Sequence, residues 1–116
     1  MEQPRRKPNR LPDYDYTECG GYFLTICTRN REKLFWDAAG HLSWAGEIVD
    51  AKIREIPLRY SNIRLDHYVV MPNHIHLLLV IKEAGATSIS NVVCQMKGAA
   101  TKEIGYSVWQ KLMRNI

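Results

Sequence analysis

Three cysteines in 116 residues, Cys19, Cys27 and Cys94, are odd in number, widely spaced and form no Cys-x-x-Cys pair. That scarcity argues against a disulfide framework and against a structural zinc site. Long apolar runs are missing as well. The longest, residues 77–81, falls far short of the roughly 20 residues that a bilayer-spanning helix needs. Met1-Glu-Gln-Pro-Arg-Arg lacks the apolar stretch of a signal peptide, so a cytoplasmic protein with no membrane partner is expected. There is no internal repeat, no low-complexity segment, and no room for a second core. What remains is an ordinary globular composition, 46% apolar and 24% charged. The net charge of +4 is modest, and its distribution says more. Arg5, Arg6, Lys7 and Arg10 crowd into the first ten residues. Residues 1–20 therefore read as a basic arm, either a phosphate-binding segment or a solvated tail, ahead of one domain over 21–116.

Within that domain, Gly20-Gly21 ends the lead-in, and the aromatic and β-branched run 22–28 predicts a strand. A charged loop follows, with Arg29, Arg31 and Lys33 available either to grip phosphate or simply to stay solvated. Leu34, Phe35 and Trp36 should fold back onto the core. Residues 43–56 carry the helical period, with Ser43 as N-cap and Pro57 as the stop. Residues 62–70 and 74–82 predict two strands. Thr87 or Ser88 caps a helix over 89–104, whose stripe is Ile89, Val92, Val93, Met96, Ala100 and Ile104, and Gly105 ends it. Residues 106–111 can start a fourth strand. The order strand, helix, strand, strand, helix is the α+β, ferredoxin-like split β-α-β arrangement, an antiparallel sheet with two helices on one face.

The chemistry concentrates in residues 68–80, Tyr-Val-Val-Met-Pro-Asn-His-Ile-His-Leu-Leu-Leu-Val. Side chains alternate along a strand, so His74 and His76 share one face and Ile75 takes the other. Two neighbouring imidazoles make a small metal-binding fork; the plain alternative is a polar cap on a buried strand. If Pro72-Asn73 closes the hairpin, Met71 faces His74, Val69 faces His76 and His67 faces Leu78. Proline suits the primed hairpin turns poorly, and a longer loop would turn His67 away, so His67 reads as an exposed strand residue first and a third ligand second. His41 has no visible partner.

Met71-Pro-Asn-His-Ile-His-Leu-Leu resembles the signature of the single-tyrosine HUH transposases, particularly the REP-associated tyrosine transposase group. Residues 22–35 resemble that family's first strand and loop, and Trp109-Gln110 the pair before its catalytic helix. The resemblance implies a DNA transposition enzyme in which His74 and His76, with a further ligand from the catalytic helix, hold Mg²⁺ or Mn²⁺ on a scissile phosphate. A tyrosine then attacks, leaving a phosphotyrosine and a free 3′ hydroxyl. It implies single-stranded or hairpin DNA as partner, with homodimers and monomers both known. Arg5, Arg6, Lys7, Arg10, Arg29, Arg31 and Lys97 become DNA-contact candidates, Lys97 being equally readable as a solvated helix residue. Tyr14, Tyr16, Trp36 and Trp44 become stacking candidates, although Trp44 reads better as core. The expected nucleophile is not found in residues 111–116. The chain therefore looks cut short before the catalytic helix, and Tyr106, just ahead of the motif, is the nearest substitute, with packing as its alternative role. On this reading the protein either nicks DNA or is an inactive nucleic-acid binding module of the same fold, forming no covalent adduct.

Overall fold

The computed structural model describes residues 19–83 and 87–110. Arg5, Arg6, Lys7, Arg10, Tyr14 and Tyr16 lie outside them, as does the rest of the arm. Three strands, β1 (Gly20–Cys27), β2 (Ile63–Met71) and β3 (His74–Ile81), form an antiparallel sheet in the order β1-β3-β2. Gly20 and Gly21 belong to β1 and do not precede it. On β3 the alternation is strict: Ile75, Leu77, Leu79 and Ile81 are buried, while His74, His76, Leu78 and Val80 are half-buried on the other face. The buried row joins one core cluster with two helices, α1 (Trp44–Arg54) and α3 (Ile89–Ile104). From them come Val49, Ile53, Val92, Met96 and Ala100, so both helices cover the same side and leave the histidine face open. Lys52 of α1 ties the two together through Glu103 at 2.8 Å. The mixed α+β class and the helix caps Ser43, Ser88 and Gly105 (φ 102°) follow the expectation.

Four local readings need correction. Pro57 does not simply stop the first helix, which ends at Arg54; it sits at the start of a separate single turn, α2 (Ile56–Arg59), where its missing N–H costs nothing. Residues 106–110 make no full strand. Only Trp109 bridges to Thr28, flanked by Arg29 N–H to the Val108 carbonyl (2.9 Å) and Gln110 N–H to the Cys27 carbonyl (3.0 Å). Trp44 is not core: at the first turn of α1 it is 64% exposed. His41 does have a partner, because Asp37 accepts its backbone N–H at 2.9 Å and lies 4.0 Å from its ring. Among the described residues no helix is long and apolar enough to cross a membrane.

Candidate metal and nucleic-acid site

Everything at the site depends on the hairpin register, and the structure fixes it. Met71 pairs with His74, Val69 with His76 and His67 with Leu78; the extra residue, Asp66, is absorbed in a bulge between Leu65 and His67. Neither Pro72 nor Asn73 takes positive φ, so this is not a primed turn. Tertiary bonds hold it instead. The Asn73 carbonyl accepts from the Thr28 N–H (3.0 Å) and hydroxyl (3.1 Å), and the Pro72 carbonyl accepts from the Phe35 N–H (3.0 Å). Thr28 is fully buried, and its hydroxyl also reaches the Glu32 carbonyl at 2.6 Å. Trp36 donates its indole N–H to the Val70 carbonyl at 2.8 Å on the edge strand. Residues 28–36 thus form a brace around the turn that delivers His74.

The two imidazoles lie edge to face with centroids 4.7 Å apart. Each is oriented by a neighbour. The Asn73 amide N–H₂ donates to the Arg31 carbonyl (3.3 Å), which turns its oxygen to His74 Nδ1 at 2.7 Å. An amide oxygen only accepts, so Nδ1 of His74 carries the proton and Nε2 keeps its lone pair. His76 Nδ1 lies 3.0 Å from the Thr25 hydroxyl, which orients the ring; a hydroxyl can donate or accept, so this contact does not itself set the tautomer. Bonding of the second ring nitrogen is the usual way a metal-ligating histidine is held. The donor set therefore suits a divalent ion in part: two oriented nitrogens, and among the described residues no cluster of three His, Cys, Asp or Glu. His67 lies on the same face, exposed, and does not complete such a cluster.

Replacing Asn73 with Ala should free the His74 ring and lower affinity for Mn²⁺ by roughly 10- to 100-fold, the usual cost of losing an outer-shell partner. Isothermal titration would read it, with Asn73→Asp, whose carboxylate can still accept, restoring most of the loss.

Burial first, then the charges of His76 and Arg31, holds the His74 imidazole below its ordinary 6.5. The folded chain resists a proton that the unfolded chain accepts, so stability is full above pH 6.5 and declines as pH falls from there toward the folded value. In a proton NMR titration of the metal-free chain, His74 should show a midpoint below 6.5; one above it would contradict the arrangement.

The cationic candidates separate. Arg31 is exposed, close enough for its charge to act on His74, and follows Asn30 in a left-handed turn (φ 52° and 56°). Arg29 pairs with Glu32 at 3.5 Å and sits 5.6 Å above the Tyr106 ring. Tyr106 is 49% exposed, so the packing role expected for it gives way to this contact. Lys97 is no freely solvated helix residue. Half-buried, it lies 6.0 Å from the Trp109 ring, whose indole N–H bonds the Lys97 carbonyl, and burial pushes its pKa down. Trp109 itself is buried against Phe35, ring centroids 5.6 Å apart. Sequence reasoning overlooked Asn73, Thr25 and Thr28 as supports; the Asn73 carboxamide beside the first histidine was the available signal.

Residues 20–113 match the family described as Transposase IS200 like. The chain is 37% identical over 81 residues to an uncharacterized protein of Haemophilus influenzae, covering 67% of this chain and 45% of the relative. It thus spans about half the length of that relative. Among solved structures it resembles a REP-associated tyrosine transposase bound to a REP hairpin (TM-score 0.65, 22% identity, 100% of this chain and 64% of that one). It also resembles a Deinococcus radiodurans R1 protein provisionally assigned as a transposase (TM-score 0.53, 25% identity, 90% and 66%).

Proposed function

Because this chain belongs to the IS200-like transposase family, we propose that its open sheet face binds single-stranded or hairpin DNA and serves DNA nicking and strand transfer. The observation that supports this best is the imidazole pair, both rings oriented by a neighbour and Nε2 of His74 available, on a face that α1 and α3 leave open. That the similar solved transposase holds a REP hairpin supports a hairpin as the DNA form. His74 and His76 would hold the divalent ion, and two imidazole donors favour Mn²⁺ over Mg²⁺. Such an ion, when bound, polarises a phosphoryl oxygen. The chain's own residues do the remaining work. Asn73 and Thr25 keep the rings aimed, while exposed Arg31 stands ready for phosphate oxygens and Arg29 would have to leave Glu32 to join it. Gln110 is bonded to Cys27, the register partner of His74, so it lies about two strand spacings, roughly 10 Å, from the pair. Tyr106 is the candidate nucleophile among the described residues. Its phenol oxygen would replace the 3′ oxygen at phosphorus, and the phenolic proton would go to the departing 3′ oxygen, giving the free 3′ hydroxyl.

The test is the full chain incubated with Mn²⁺ and an end-labelled hairpin oligonucleotide, run on native and denaturing gels. Retardation on the native gel supports binding, and its absence overturns the reading. A covalent band that disappears in Tyr106→Phe assigns the nucleophile; binding without any covalent band makes the chain a binding module. Four cations in residues 1–10 should neutralise further phosphates. Deleting them is expected to flatten the salt dependence of single-strand binding by about 0.7 in log–log slope for each phosphate no longer neutralised. An unaltered slope would make the arm a tail.

A further inference from the structure

One aromatic on the open face has no part in the site described so far. Phe23 stands in mid-β1 with 70% of its surface exposed, although burying such a ring is among the larger gains open to a folding chain. Its strand partner is Leu78, and its ring lies nearly parallel to that of His76, 17° between planes and 6.1 Å between centroids. With the His74–His76 contact at 4.7 Å, three rings run in a row from the hairpin end across to β1. Gly21, the next residue on that face, adds no side chain beside the ring, and Leu78 Cδ1 would stand 3.6 Å from a Cβ built there. The sheet's one acid, Asp66, sits in the bulge and is paired with Arg64 at 3.4 Å. Among the described residues, a face with imidazoles and arginine and no unpaired carboxylate on its strands complements a polyanion better than the apolar patch of a protein partner. A single exposed phenyl ring at the end of that row suits one flat, sequence-tolerant occupant.

We propose that Phe23 is the stacking platform for one unpaired base of a bound single strand, next to the imidazole pair. It is then a positioning residue, fixing which nucleotide's phosphate meets His74 and His76. This rests on the single-strand reading above. Phe23→Ala should weaken binding of a single-stranded oligonucleotide by roughly 5- to 150-fold, the equivalent of one stacked base. Phe23→Leu, which keeps apolar bulk without a ring, should lose nearly as much, and Phe23→Trp should bind at least as well as the wild type. The indole fluorescence that this last substitution adds should be quenched by the oligonucleotide. An oligonucleotide of abasic sites should be bound alike by wild type and Phe23→Ala. The measurement is fluorescence anisotropy on the full chain, with sedimentation velocity on the same samples. If wild type binds the single strand and Phe23→Ala binds equally well, the platform is wrong and the DNA reading stands. Should wild type bind no single strand, both fall. A wild-type dimer that dissociates in Phe23→Ala while DNA affinity holds would assign the ring to self-association and overturn the proposal.

Discussion

The double variant His74→Ala, His76→Ala should lose measurable affinity for Mn²⁺ and keep its fold. Removing an outer-shell partner alone costs a metal site roughly 10- to 100-fold as a rule, so removing a ligand should cost more than about 100-fold, and both together should abolish binding. The fold should survive for a structural reason. Both rings lie on the face that α1 and α3 leave open, while the core uses Ile75, Leu77, Leu79 and Ile81 of the same strand. Alanine at the two positions removes cross-strand side-chain pairs worth roughly 0.2–1 kcal/mol each and opens no cavity in the cluster. Isothermal titration with Mn²⁺ and a thermal melt by circular dichroism separate the two effects. Retained Mn²⁺ affinity in the double variant would remove the metal site altogether. Loss of affinity with a collapsed melt would mean that the imidazoles are structural, contrary to their place on the face opposite the core.

How much of this was legible in the sequence depends on whether a feature leaves a period. The alternation from His74 to Ile81 does, and with it the shared face of the two histidines; the register back to His67 stayed conditional on the turn until the structure fixed it. The stripe of α3 does too, and so do its caps. Hydrogen bonds between distant segments leave none. Nothing in Thr28 or Phe35 announces that their N–H groups clamp the Asn73 and Pro72 carbonyls, yet those bonds are why a proline-containing two-residue turn holds its register. Phe23 was hidden for a related reason. An apolar residue in an apolar strand reads as core, and only its register against Leu78 and its ring contact with His76 show that it faces outward. Trp44 went wrong the opposite way, since a large aromatic at a helix start invites burial, whereas here Ala45 and Gly46 take the buried positions of the first turn and Trp44 faces solvent. The four residues of α2 are too few to carry a period at all.

Gly46→Ala should destabilise the protein sharply, although the same change in an open helix would stabilise it. Alanine is favoured over glycine in a helix interior by up to about 1 kcal/mol. At position 46 an added Cβ would stand 2.0 Å from the backbone oxygen of Phe35, 2.9 Å from its carbonyl carbon and 3.2 Å from its Cα. All three are backbone atoms, so no side chain can swing aside. Two further bonds press the segments together: the Ser43 N–H donates to that Phe35 carbonyl at 2.9 Å, and the Ser43 hydroxyl donates to the Leu34 carbonyl at 2.6 Å. Phe35 cannot retreat either, being fully buried with its own N–H on the Pro72 carbonyl. Overpacking of this kind costs about 1–3 kcal/mol or more, which at roughly 4–8 °C per kcal/mol lowers the melting temperature by roughly 10 °C. The strain passes through Phe35 to the turn before His74, so Mn²⁺ affinity should fall with stability. Gly98→Ala in α3 is the matched control, since nothing lies within 4 Å of its added Cβ. It should raise the melting temperature by a few degrees and leave Mn²⁺ affinity unchanged. If Gly46→Ala melts as high as Gly98→Ala, then α1 does not rest on the Phe35 backbone, and the brace that positions the histidine turn is not built as described.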